Sequence, residues 1–179
     1  MKLLVSVARA DEVTAAVTAG ADILTGSAAE KPRLERLDEL IAVDLRGTMM
    51  ASWAAATVMQ QQPRGGVIIN ISWDRVLTGM EGTNPELFSA VKGGVLAFSK
   101  SLARSLAPLV RVNVVAPGWI ETAFGAGLDE AAYRRTARSI PLGRWGTTHD
   151  VAAATVYLAS PDAAFVTGHT LLVSGGDVM

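Results

Sequence analysis

The sequence predicts an α/β domain: a mainly parallel sheet of about five strands with helices on both faces, a three-layer sandwich. Short apolar runs such as "VIINIS" and "VRVNVV" are nearly continuous, which suits strands buried on both faces. Longer stretches with apolar residues at helical spacing separate these runs. Glycine and proline cluster where one pattern gives way to the next.

Each element follows from its own stretch. "KLLVSV" (2–7) reads as a buried strand, and "ADEVTAAVTAG" (10–20) as a short helix stopped by Gly20. "ADILTGS" (21–27) reads as a second strand entering a small-residue turn. Residues 34–61 place Leu34, Leu37, Leu40, Ile41 and Leu45 at helical spacing, followed by "MMASWAAATVM". Pro63 and the Gly65-Gly66 pair end that helix. "VIINIS" (67–72) is a third strand. A long helix follows, with Asn84 as N-cap, Pro85 at its first position and Pro108 beyond its end. "VRVNVVAPG" (110–118) is a fourth strand. "TTHDVAAATVYLAS" (147–160) opens as a capping box, Thr147 with Asp150, and "HTLLVSGG" (169–176) is a fifth strand.

Composition narrows the function. Half of the 179 residues are apolar and 18% are charged, the balance of a compact chain. No linker or internal repeat divides it, so residues 1–179 are expected to form one domain. The formal net charge is −1 without a basic run, which argues against a nucleic-acid partner. Cysteine is absent and the two histidines, His149 and His169, lie in unrelated segments, so no metal site is expected. "MKLLVSVARADE" is too short an apolar stretch for a signal peptide, being interrupted by Arg9 and Asp11. "MMASWAAATVM" is about half a membrane span. A soluble, cytoplasmic protein with no membrane association is expected.

From about residue 21 onward the chain resembles the short-chain dehydrogenase/reductase family. The resemblance rests on "NVVAPGWIETAF", on "PLGRWGTTHDVAAATVYLASPDAAFVTGHTLLVSGG" and on "LIAVDLRGT". It implies a Rossmann-like fold, here a truncated one. The family opens on a T-G-x-x-x-G-x-G turn that holds the cofactor pyrophosphate; the early glycines here, Gly20 and Gly26, have unrelated spacing. About two strands and two helices of the family pattern are therefore expected to be missing. The opening "MKLLVSVARADEVTAAVTAGADIL" is also similar to the start of a small (βα)-barrel family that makes a furan phosphate precursor. A generic βαβ unit accounts for that similarity as well.

The resemblance implies a serine–tyrosine–lysine trio at Ser72, Phe88 and Lys92, and a helix asparagine at the position of Asp44. It implies cofactor contacts at Lys92 and along Pro117, Gly118, Trp119, Ile120 and Thr122. In the family the tyrosine exchanges the substrate proton, the lysine lowers its pKa and holds the nicotinamide ribose, and the serine orients the substrate. Acid–base catalysis needs a titratable group within reach of the reacting oxygen, and Phe88 has none. No tyrosine occurs between Met1 and Ala132.

Plainer readings stand beside these. Phe88 and Lys92 share a helix face; the first is core packing or a substrate platform, the second an inward group or a snorkelling surface lysine. Ser72 satisfies backbone groups or orients a ligand. Trp73 and Trp119 either sandwich a planar ligand or plug the cofactor space. Gly93-Gly94 marks close approach by a ligand or by another helix. Asp44 shares the apolar face of Leu37 and Ile41, where a carboxylate needs a partner; Lys92 is expected to supply it, directly or through one water.

The expected function is that of a degenerate family member without dehydrogenase activity of its own, acting as a small-ligand binder or an oligomeric, regulatory partner. No cofactor is expected to bind tightly. The alternatives are an NAD(P)-dependent oxidoreductase whose site another chain completes, for example a full-length family member, and a lyase or isomerase using Asp44, Ser72 and Lys92. The helices at 34–61 and 85–107 are apolar over more than one face, so a homo-oligomer through them is expected.

Overall fold

The computed structural model describes residues 3–5, 33–82 and 85–179. Four strands form one parallel sheet in the order β1-β2-β3-β4: β1 (Leu3–Val5), β2 (Gly66–Ile71), β3 (Val110–Pro117) and β4 (Thr170–Val173). Parallel neighbours need crossover helices. These are α3 (Pro85–Leu106) between β2 and β3, and α6 (Thr148–Ala159) between β3 and β4.

The described residues thus hold four of the five strands expected. The helix at 10–20, the strand at 21–27 and the Asn84 cap lie outside the described residues. Leu3–Val5 runs parallel to β2, Leu3 opposite Val67 and Val5 opposite Ile69. β2 therefore has a neighbour along each edge.

Successive strand side chains point to opposite faces, and the core divides accordingly. Ile68, Val110 and Val112 meet Ala55, Ala56 and Met59 of α2 (Gly47–Met59) and Leu102, Ala103 and Leu106 of α3. Val67, Ile69 and Val115 meet Val151, Leu158 and Ala159 of α6 on the other face. Three layers result. Thr147 and Asp150 form the expected capping box at the start of α6: the Thr147 hydroxyl accepts from the Asp150 amide at 3.2 Å, and the Asp150 carboxylate accepts from the Thr147 amide at 2.7 Å.

The helix expected over 34–61 runs from Arg33 to Met59, but its middle is not α-helical. Between α1 (Arg33–Leu40) and α2, residues Ile41–Arg46 form a π-helical segment. The wider turn rotates the register. Ile41, expected on the apolar face, is 39% exposed, while Leu40 is buried at 2%. Two further helices, α4 (Ala123–Ala126) and α5 (Glu130–Ser139), carry no apolar signal strong enough to predict; α5 buries no residue at all. No helix among the described residues is long and apolar enough to cross a membrane.

Candidate functional site

Two groups of side chains occupy the carboxyl ends of the strands, where open α/β sheets bind ligands. The first is built by β2, the π-helical segment and α3. Ser72 follows directly on β2, and its hydroxyl donates to the backbone carbonyl of Lys92 at 2.8 Å. That leaves Ser72 in its plainer role, satisfying backbone. Phe88 is buried at 6% in a cluster with Leu40, Trp73 and Val91. Its ring meets Trp73 edge-on, with centroids 5.1 Å apart. One turn later Lys92 extends its ammonium to 5.4 Å from the Phe88 ring centre.

The same ammonium donates to Asp44 Oδ1 at 2.9 Å. The pairing expected of these two residues, directly or through one water, is therefore present in its direct form, with side chains only 11% and 14% exposed. The second carboxylate oxygen, Asp44 Oδ2, is buried without a partner. Gly94 explains how the two helices come close enough. A Cβ there would lie 3.1 Å from Leu45, so the glycine marks helix–helix approach.

The second group gathers around Gly118. Pro117 closes β3, and Gly118 packs so tightly that an added Cβ would lie 2.6 Å from Asp74 Oδ2 and 3.1 Å from Ser174. Ile120 is buried against α6 and bridges to Gly146. Thr122 is half-buried just before α4. Trp119 meets Trp145 at 5.4 Å, and Trp145 stacks on Tyr133 with rings 5.1 Å apart and 5° from parallel. Trp73 and Trp119 thus pack against different aromatic partners rather than sandwiching one space. Trp119 lines a cleft of about 540 Å³ with Arg75, Thr78, Met80, Thr136 and Ser139.

Both tyrosines are elsewhere. Tyr133 donates to Glu121, which pushes its phenol pKa up, and Tyr157 is 45% exposed on α6. No phenol stands beside Lys92.

Sequence reasoning missed Asp74. It belongs to a one-turn 3₁₀ segment, Asp74–Val76, and is fully buried. Oδ1 accepts from the Arg75 amide at 2.7 Å, and Oδ2 has no partner. Arg75 in turn is ion-paired to Asp177 beyond β4. Desolvation pushes the Asp74 carboxyl up to about 6, offset in part by Arg75 and aided by Asp177. The only signal in the sequence was an acidic residue just past a strand's carboxyl end.

This pKa gives a stability prediction. A raised folded pKa means the folded state holds the proton more tightly, so stability falls as pH rises from the ordinary aspartate range to about 6. The difference corresponds to about 3 kcal/mol at pH 7. Asp74→Asn should recover most of it at pH 7 and almost none at pH 4. Urea denaturation at both pH values measures this; an equal effect at both would contradict it.

The sequence matches the family model described as enoyl-(acyl carrier protein) reductase over residues 6–177. The chain belongs to the short-chain dehydrogenase/reductase family. It is 38% identical over 148 residues to a Mus musculus 3-oxoacyl-[acyl-carrier-protein] reductase, covering 82% of this chain and 58% of that protein. It thus spans less than two thirds of the length of that relative. A solved short-chain dehydrogenase/reductase from Brucella melitensis superposes with TM-score 0.74 at 30% identity, over 84% of this chain and 59% of that one. A tyrosine-to-phenylalanine variant of ElxO with NADPH bound matches with TM-score 0.74 at 30% identity, over 83% and 60%. As a short-chain dehydrogenase/reductase, the chain falls within an oxidoreductase family and has the Rossmann-like fold that the sequence implied.

Proposed function

We propose that this chain is a short-chain dehydrogenase/reductase scaffold that does not itself catalyse hydride transfer and serves as a ligand-binding or regulatory partner in an oligomer. One observation carries the reading. The position the family gives to its proton-donating tyrosine holds Phe88, buried against Trp73, and the neighbouring Lys92 is committed to Asp44. The site has no phenol to donate a proton and no uncommitted ammonium to lower its pKa.

The residues assigned to the nicotinamide side also fit that cofactor poorly. Lys92 would have to leave a buried carboxylate to hold a ribose, leaving Asp44 uncompensated. Tight binding of NADH or NADPH by this chain alone is therefore not part of the reading. The phenylalanine variant of ElxO retains NADPH in its structure, so it is the Lys92–Asp44 pair, more than Phe88, that bears on binding. A lyase or isomerase using Asp44, Ser72 and Lys92 has less support, because Ser72 and Lys92 are already paired.

The oligomer rests on the outer faces of α2 and α3. Met50, Trp53 and Val58 are each more than half exposed, and Trp53 meets Phe98 of α3 at 5.7 Å across the two helices. An apolar face of that kind calls for a partner, and a second copy is the simplest.

Purified protein should show no carbonyl-dependent oxidation of NADH or NADPH, and Phe88→Tyr alone should not create it, because Lys92 stays on Asp44. Nicotinamide fluorescence should report dissociation constants no tighter than millimolar, and light scattering should give more than one chain per particle. Turnover by the unaltered protein would overturn the reading. A stable monomer at micromolar concentration would overturn its oligomeric part.

A further inference from the structure

Asp74, Arg75 and Asp177 form a cluster that the family resemblance does not account for. Asp74 and Asp177 are separated by the whole second half of the chain, yet Arg75 meets both, Asp74 through its backbone amide and Asp177 through its guanidinium. Arg75 Nη2 is bonded to Asp177, while Arg75 Nε and Asp74 Oδ2 are both buried without partners. An unpaired donor and an unpaired acceptor therefore lie on adjacent residues. Either vacancy costs free energy in a buried setting, and each could fill the other.

Asp177 anchors the C-terminal tail. Its side chain is only 7% exposed, its amide donates to Ser174 O at 3.2 Å, and Ser174 donates to Val178 O at 3.1 Å. Val178 is buried at 3%, and Gly175 O accepts from Leu142 at 3.1 Å. Arg75 also lines the cleft beside Trp119, Met80 and Thr136. Tail, turn and cleft thus share one side chain.

We propose that Arg75 is a two-position switch: turned to Asp177 it clamps the C-terminal tail, and turned to Asp74 it frees the tail and alters the cleft wall. The trigger is ionisation of Asp74. The charged groups acting on that carboxyl are Arg75 from its own turn and Asp177 from the tail. The end of β3 presents Gly118 and the end of β4 presents Ser174, neither of which ionises at these pH values. A neutral Asp74 makes no claim on the guanidinium, so Arg75 rests on Asp177. An ionised Asp74, buried and unpaired at Oδ2, competes for it. Burial sets the exchange near pH 6, with the tail clamped below and freed above.

The test is a pH titration of the full chain by NMR, from pH 5 to 8. It follows the Asp74 carboxyl carbon together with the Asp177 and Val178 amide signals. Both sets should move with one midpoint near 6. In Asp74→Asn the tail signals should stay at their acid positions throughout. In Arg75→Gln, which deprives both carboxylates of their partner, the tail signals should lose the transition while Asp74 still titrates. Tail signals that do not change while Asp74 titrates would overturn the switch. So would the same tail transition surviving in either variant.

Discussion

Asp44→Ala is expected to cost about 3–5 kcal/mol, the range for removing one partner of a buried ion pair. The size follows from burial. With side chains 11% and 14% exposed, neither charge is well solvated, so the weak surface-pair range of under about 1 kcal/mol does not apply. The loss comes mainly from the ammonium left behind, held over the Phe88 ring with no counter-charge. Adding Lys92→Met to Asp44→Ala should therefore restore most of the stability. Urea denaturation of the two single variants and the double variant closes the cycle. If Asp44→Ala costs less than about 1 kcal/mol, the pair is solvated and the site is more open than described.

Trp145→Ala is expected to cost about 3–5 kcal/mol as well, for a different reason. Trp145 is 1% exposed, stacks on Tyr133, meets Trp119 edge-on and donates through its ring N–H to the Tyr133 carbonyl at 3.1 Å. Its removal leaves a cavity and takes one hydrogen-bond donor from the Tyr133 carbonyl. Because Trp119 and Thr136 line the cleft, the wall that Trp145 supports should slacken with it. Thermal denaturation measures the first effect. Trp145→Phe, which keeps most of the ring volume, should lose clearly less; equal losses would refute the cavity account.

Much of this was legible in the sequence. The strand over 110–118 is β3 at Val110–Pro117, and the capping box at Thr147 formed as its residues required. The Asp44–Lys92 pair followed from a chemical necessity, a carboxylate on an apolar helix face, joined to a family register that brought the lysine near. What escaped notice did so for physical reasons. A π-helical turn adds a residue per turn that a 3.6 period cannot show, so Ile41 was placed inward when it faces out. α5 has the sequence EAAYRRTARS and no buried residue, so it lacks the stripe by which helices are recognised. The Asp74 cluster joins a strand end to the C-terminal tail, and such a pairing leaves no trace in local spacing.

Asn70 on β2 is fully buried. Its amide donates to Ser99 on α3 at 2.9 Å, and its carbonyl accepts from Ser52 on α2 at 3.2 Å. Two helices are thereby stitched to one strand at a single residue. Sliding either helix along the strand would break one of these bonds and leave a buried polar group unpaired. The two helices whose outer face carries Trp53 and Phe98 are thereby keyed to one position along β2.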